Sequence, residues 1–173
     1  MLLNKLKRKA LAEVDSYNFQ VFSDPCHCQQ TQHDLLEMAP FGTSTARPYH
    51  IIIFGASGFT GQFVVEEVAR TASEGPGGGL RWAVAGRSRS KLEKVIEQAA
   101  VALSKPELKS EVEVIVADVC DQDSLAAMCK QAVIVLSCVG PYRFFGEPVV
   151  KTCVENGAHC IDISGEPQVI QLL

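Results

Sequence analysis

Three glycines, Gly55, Gly58 and Gly61, are spaced three residues apart directly after an apolar, β-branched run, Ile51-Ile52-Ile53-Phe54. Ala56, Ser57, Phe59 and Thr60 fill the intervals, and Gln62 to Arg70 continues with helical periodicity. A strand, a tight turn and a helix N-terminus in this order form a cradle for a pyrophosphate. Gly55 lets the chain turn sharply, Gly58 removes a side chain where phosphate oxygens approach, and Gly61 lets the helix lie close on the sheet. The first helical N–H groups have no partner inside the helix and carry about half a unit of positive charge. Phe59, Phe63, Val64 and Val68 are expected on one helix face, with Glu66, Glu67 and Arg70 mainly on the other. The competing reading is an ordinary βα turn without a ligand.

Which dinucleotide suits the site depends on the end of the next strand. An NAD site places an acid there to accept hydrogen bonds from the adenosine ribose. This chain has no Asp or Glu between Glu74 and Glu93; Leu80 to Gly86 is followed by Arg87-Ser88-Arg89-Ser90-Lys91. A 2′-phosphate calls for charge-assisted donors, and a guanidinium supplies them in a planar fork. The reading is therefore NADP(H), with Arg87 first, Ser88 second, and Arg89 or Lys91 third. Alternatively, Ser88 or Ser90 caps a solvated basic helix start.

These residues need elements to position them. From His50 onward, the pattern predicts strands near 50–55, 81–86, 112–117, 132–138 and 159–163. Helices are predicted near 60–72, 89–103, 122–131 and 147–156. Alternation with short loops implies parallel strands and right-handed crossovers, hence an α/β doubly wound sheet of about five strands in the order 3-2-1-4-5. Ligands bind such sheets at the carboxyl ends of the strands. Asp118, at the end of the third strand, is expected either to face the adenine or to serve as a turn residue beside the helix cap Asp121. Gly140 and Pro141, after the fourth, would bring main chain against the second ribose and the nicotinamide. Asp162 reads as a cap, while Glu166 stays open between a cap and an acid at a reaction centre.

A chain of 173 residues with 47% hydrophobic content, 21% charged content and a net charge of −4 fits a globular domain and argues against nucleic-acid binding. The longest apolar stretch, 132–139, is too short to span a bilayer. Seven cysteines suggest a reducing, intracellular setting, with Cys120, Cys129, Cys138, Cys153 and Cys160 read as small buried hydrophobes. Cys26, His27, Cys28 and His33 match no usual zinc spacing, so no metal is expected. Residues 1–48 read as a largely disordered extension preceding a domain over 49–173. No Tyr-x-x-x-Lys occurs: Tyr17, Tyr49 and Tyr142 are followed four residues later by Val21, Ile53 and Gly146. A short-chain reductase centre is thus excluded, because its tyrosine needs the nearby ammonium. No catalytic residue is assigned.

The glycine loop 55–61, Ala83-Val84-Ala85-Gly86-Arg87-Ser88, the run from Cys138 to Val150 and Cys160-Ile161-Asp162-Ile163-Ser164-Gly165-Glu166-Pro167 together resemble the saccharopine dehydrogenase-like oxidoreductases of animals. The resemblance implies an NADP-binding Rossmann domain followed by a larger α/β domain carrying substrate binding and much of the dimer interface. It also implies association with lipid droplets or other membranes, a mitochondrial setting as an alternative, and a link to lipid metabolism. The second domain is missing after Leu173, so the expectation is a truncated form whose turnover is in doubt. Two further readings remain: a non-catalytic NADP(H)-binding or regulatory module, and an unstable fragment whose uncovered sheet edge invites self-association.

Overall fold

The computed structural model describes residues 47–74 and 79–165. Five strands form one parallel sheet: β1 Tyr49–Phe54, β2 Trp82–Gly86, β3 Glu113–Val116, β4 Ala132–Ser137 and β5 His159–Asp162. Their order is β3-β2-β1-β4-β5, the expected one. The helices are α1 Phe59–Thr71, α2 Arg89–Leu103, the short α3 Leu108–Glu111, α4 Gln122–Cys129 and α5 Tyr142–Glu155.

Period-two alternation sorts the central strands into two cores. Ile52, Phe54, Ala83 and Ala85 face the layer of Leu125, Cys129, Val149 and Cys153 from α4 and α5. Ile53, Trp82 and Val84 face Val65, Ala69, Leu92 and Ile96 from α1 and α2. Burial on both faces explains why β1 and β2 read as continuous apolar runs rather than alternating ones. β1 pairs with both β2 and β4, so the sheet order reverses beside it and a crevice opens at its carboxyl end.

Two expectations are corrected, and one element is added. The buried stripe of α1 is Gly61, Val65 and Ala69, with Val64 and Val68 at its margin. Phe59 and Phe63 stand outside at 82% and 58% exposure, packed edge to face on each other. Sheet packing selects the stripe that carries Gly61, since only a residue without a side chain fits there. Helix α5 begins at Tyr142 rather than near 147, and Pro148 lies inside it. Pro141 supplies the cap, accepting from the N–H groups of Phe144 and Phe145. The turn α3 went unforeseen, being too short to show a period.

The expected extension lies outside the described residues apart from Arg47 and Pro48. Arg47 is bound into the domain: its guanidinium donates to the carbonyls of Cys129, Ala132 and Asn156. It thereby satisfies carbonyls at the ends of α4 and α5 that helix geometry leaves unpaired.

A candidate dinucleotide site at the carboxyl edge of the sheet

The turn after β1 depends on two glycines. Gly55 has φ +82°, a left-handed conformation, and a Cβ on it would lie 2.8 Å from Val139 Cγ2. At Gly61 a Cβ would stand 2.3 Å from the Gly55 carbonyl oxygen and 2.7 Å from Ala56 Cα. The helix can therefore rest on the turn only with glycine at that position. Ala56 is fully buried, its N–H donating to Ala85 O at 3.2 Å.

Helix α1 opens without a side-chain cap and without an acid in its first turn. Its first bond runs from Gln62 N to Gly58 O. Among the described residues, the N–H groups of Ser57, Phe59, Thr60 and Gly61 have no acceptor. Several free donors at a positive helix end suit a diphosphate.

A cavity of about 340 Å³ runs along this edge. Gly55, Ser57 and Gly58 form its floor at the diphosphate cradle. On the β2 side, Gly86, Arg87, Ser88 and Lys91 line it, with Val119 and Cys120 opposite, after β3. On the β4 side stand Cys138, Val139, Gly140 and Phe145. No carboxylate lines the cavity among the described residues.

The β2 side of the cavity is cationic. Arg87 and Lys91 make no hydrogen bond or ion pair among the described residues, so neither cation is neutralised. Ser88 occupies the N-cap position of α2, yet its hydroxyl caps no N–H; it meets Ser90 Oγ at 3.2 Å. The simple capping alternative is thereby absent. Arg89 leaves the group, lining a different groove beside Glu93 and Glu97.

Asp118 serves the turn. Its carboxylate accepts from Cys120 N at 3.0 Å, and its neighbours Val119 and Cys120 form the cavity wall instead. Asp121 caps α4, accepting from the N–H groups of Asp123 and Ser124. Pro141, joined to Gly140 by a cis peptide, is the α5 cap and leaves the cavity wall to Gly140. Asp162 accepts from Ser164 N at 2.9 Å, while Glu166 and the helix expected after Pro167, which Asp162 was read as capping, lie outside the described residues. Phe145 was missed because α5 was expected to start beyond it. At the β4 end, burial pushes the Cys138 thiol above its ordinary pKa, so it stays protonated at neutral pH. Beside it, Ser137 Oγ is 2% exposed and without a partner among the described residues.

Comparison with known proteins agrees with this geometry. Residues 51–171 match the family described as "Saccharopine dehydrogenase NADP binding domain". The human saccharopine dehydrogenase-like oxidoreductase is 60% identical over 128 residues, covering 73% of this chain and 30% of that protein. A Caenorhabditis elegans "Lipid droplet localized protein" is 47% identical over 123 residues, covering 71% and 28%. Among solved structures, the apo saccharopine dehydrogenase (L-Glu forming) of Saccharomyces cerevisiae superposes with a TM-score of 0.51 at 18% identity, covering 72% of this chain and 24% of that one. This likeness concerns the fold alone. The chain spans about 30% of the length of the mammalian saccharopine dehydrogenase-like oxidoreductases it matches.

Proposed function

The chain belongs to the saccharopine dehydrogenase family through its NADP-binding domain, and from that premise we propose that it holds NADP(H) along the β1–β4 crevice, with the nicotinamide at the Gly140 end. Residues Ser57 to Gly61 take the diphosphate through backbone N–H groups. Arg87, Ser88 and Lys91 take the 2′-phosphate; Cys138 to Gly140 form the wall for the second ribose and nicotinamide. The observation that carries this reading is the pair of unneutralised cations, Arg87 and Lys91, in a cavity without a lining carboxylate.

When bound, the nicotinamide supplies hydride chemistry, and the protein's part is placement and electrostatics. In a dehydrogenase assembly this chain would fix the cofactor while groups held elsewhere position the substrate. A second reading, a non-catalytic NADP(H)-binding module, is favoured by one observation. Among the described residues, the only titratable side chain lining the β4 end of the cavity is Cys138, which burial keeps protonated, so none of them is a base ready there at pH 7. Fluorescence titration with NADPH and NADH tests the binding claim: NADPH should bind more tightly, and equal affinities would overturn the 2′-phosphate assignment.

The nematode relative's name suggests lipid droplets, and a plant relative, 42% identical over 126 residues, is described as probably mitochondrial. We take the lipid droplet as the destination, on the closer relative. Imaging the tagged chain against a neutral-lipid dye checks this, and mitochondrial co-localisation would reverse it. No helix among the described residues is long and apolar enough to cross a membrane.

A further inference from the structure

Residues 47–49 make polar contacts at the entry to every other strand. The Arg47 guanidinium donates from Nη1 to Cys129 O at 2.7 Å and Ala132 O at 2.6 Å, and from Nη2 to Asn156 O at 2.5 Å. Ala132 opens β4, and Asn156 lies three residues before β5. Arg81, directly ahead of β2, donates from Nε to Pro48 O at 2.8 Å. Tyr49 donates to Glu113, the first residue of β3. This short strap therefore runs along the amino edge of the sheet, opposite the edge that carries the cavity.

The Arg47 end of the strap lies in a socket shaped for a guanidinium. The last four carbonyls of a helix have no partner within it. In α4, Lys130 N takes Ala126 O, and Gln131 takes Ala127 O and Met128 O; Cys129 O is left to Arg47. After α5, the N–H groups of Asn156, Gly157 and Ala158 turn back onto helix carbonyls, and Asn156 O meets Arg47. Gly157 has φ +66°, and a Cβ on it would lie 3.2 Å from Arg47 Nη2. Cys129 and Ala132 are fully buried, so their carbonyls depend on this donor. Among the described residues no carboxylate pairs with Arg47; the C-terminal ends of two helices favour its charge instead. A guanidinium fork reaches these carbonyls from two nitrogens, whereas an ammonium donates from one.

The cavity spans the seam between β1 and β4 at the opposite edge. Ser57, Arg87 and Lys91 come from the β1–β2 side, and Cys138, Gly140 and Phe145 from β4 and α5. Helix α5 joins the two places: Phe145 lies in its first turn, and Asn156 is its C-cap. Its 14 residues form a rod about 21 Å long. We propose that Arg47 and its socket form a latch that holds β4, α5 and β5 closed on β1, and so fixes the width of the nucleotide cavity. The latch stands on the contacts above; only its effect on nucleotide rests on the NADP(H) reading. With Arg47 out of the socket, the C-terminal end of α5 loses its tie to the strap. The helix then tilts, and the Gly140 and Phe145 wall moves away from Ser57 and Gly58.

The experiment compares Arg47→Ala and Arg47→Lys with the unaltered full chain by hydrogen exchange and NADPH titration. Both variants should exchange faster along β4, α5 and β5, while α1 and α2 keep their protection. NADPH affinity should fall by about two- to thirtyfold. Millimolar ethylguanidinium should return Arg47→Ala towards the unaltered chain in both readings, and ethylammonium should not. If Arg47→Ala does not fold, its refolding with ethylguanidinium present replaces that arm, and Arg47→Lys supplies the other readings. Faster exchange spread evenly over all elements, unchanged NADPH affinity in a variant with a loosened α5, or rescue that is absent or equal with ethylammonium would each overturn the latch. An unaltered chain that binds no NADPH, with variants that loosen only β4, α5 and β5, would overturn the nucleotide reading and support the latch.

Discussion

Arg87 and Gly61 are the residues on which the cofactor reading can be tested most directly. Arg87 has no partner among the described residues and lines the cavity, so Arg87→Ala should cost little stability. Loss of a charge-assisted contact costs about 1.5–3 kcal/mol, roughly 10- to 150-fold in NADPH affinity. NADH affinity should stay within about two-fold, because the missing phosphate is what Arg87 is proposed to hold. Parallel titrations with the two nucleotides check this, and an equal loss for both would place Arg87 elsewhere. At Gly61 the argument is steric. A methyl group 2.3 Å from the Gly55 carbonyl oxygen forces α1 off the turn. Gly61→Ala should lower the melting temperature and abolish NADPH binding together; an alanine variant that binds normally would contradict the packing described here.

At the scale of elements, two contacts hold parts of the sheet and its helices in place. Asp121 caps α4 with two backbone N–H groups. Asp121→Ala should destabilise the domain by about 0.5–2 kcal/mol, read as a fall of a few degrees in the thermal midpoint. It should leave nucleotide preference untouched, since Asp121 does not line the cavity. At the opposite edge of the sheet, Tyr49 of β1 donates its phenol hydrogen to Glu113 of β3, spanning β2. Burial first, and then the Glu113 carboxylate, push the Tyr49 pKa up to about 12. A phenol whose folded pKa exceeds its unfolded value of about 10 binds its proton more tightly in the native state. Its contribution is complete below pH ~10 and is lost as pH rises towards ~12. Chemical denaturation across that window should show stability falling, and Tyr49→Phe should remove this part of the slope.

For the whole molecule, the consequence is linkage between folding and nucleotide. A ligand that binds only the folded state adds about 2.7 kcal/mol at a concentration of one hundred times its Kd. NADPH should therefore raise the thermal midpoint by several degrees, and NADH by less at equal concentration. A flat response to both would remove the premise that the domain folds around this site. On the β5 side of the sheet, Ile161 and Ile163 are about half exposed. The domain accounts for about 30% of the length of the relatives it matches.

The strand order, the helix over 89–103 and the glycine turn were legible in the sequence, because each rests on a local rule. Hydrophobic period distinguishes strand from helix, and glycines mark where backbone must bend or touch. The choice of NADP over NAD was legible for the same reason, as a missing acid and a present guanidinium occupy consecutive positions. Tertiary structure alone decided which donors share the cavity. Successive helix residues turn by about 100°, so Arg89 points away while Lys91 returns to the Arg87 side. It also drew Phe145 into the wall by starting α5 early, and turned Phe59 outward in favour of Gly61. The meeting of Cys129 and Cys153 depends on how α4 and α5 pack, and no spacing along the chain encodes it. Local chemistry follows from neighbours in sequence; a site assembled from several strand ends follows from the register in which separate elements close on one another.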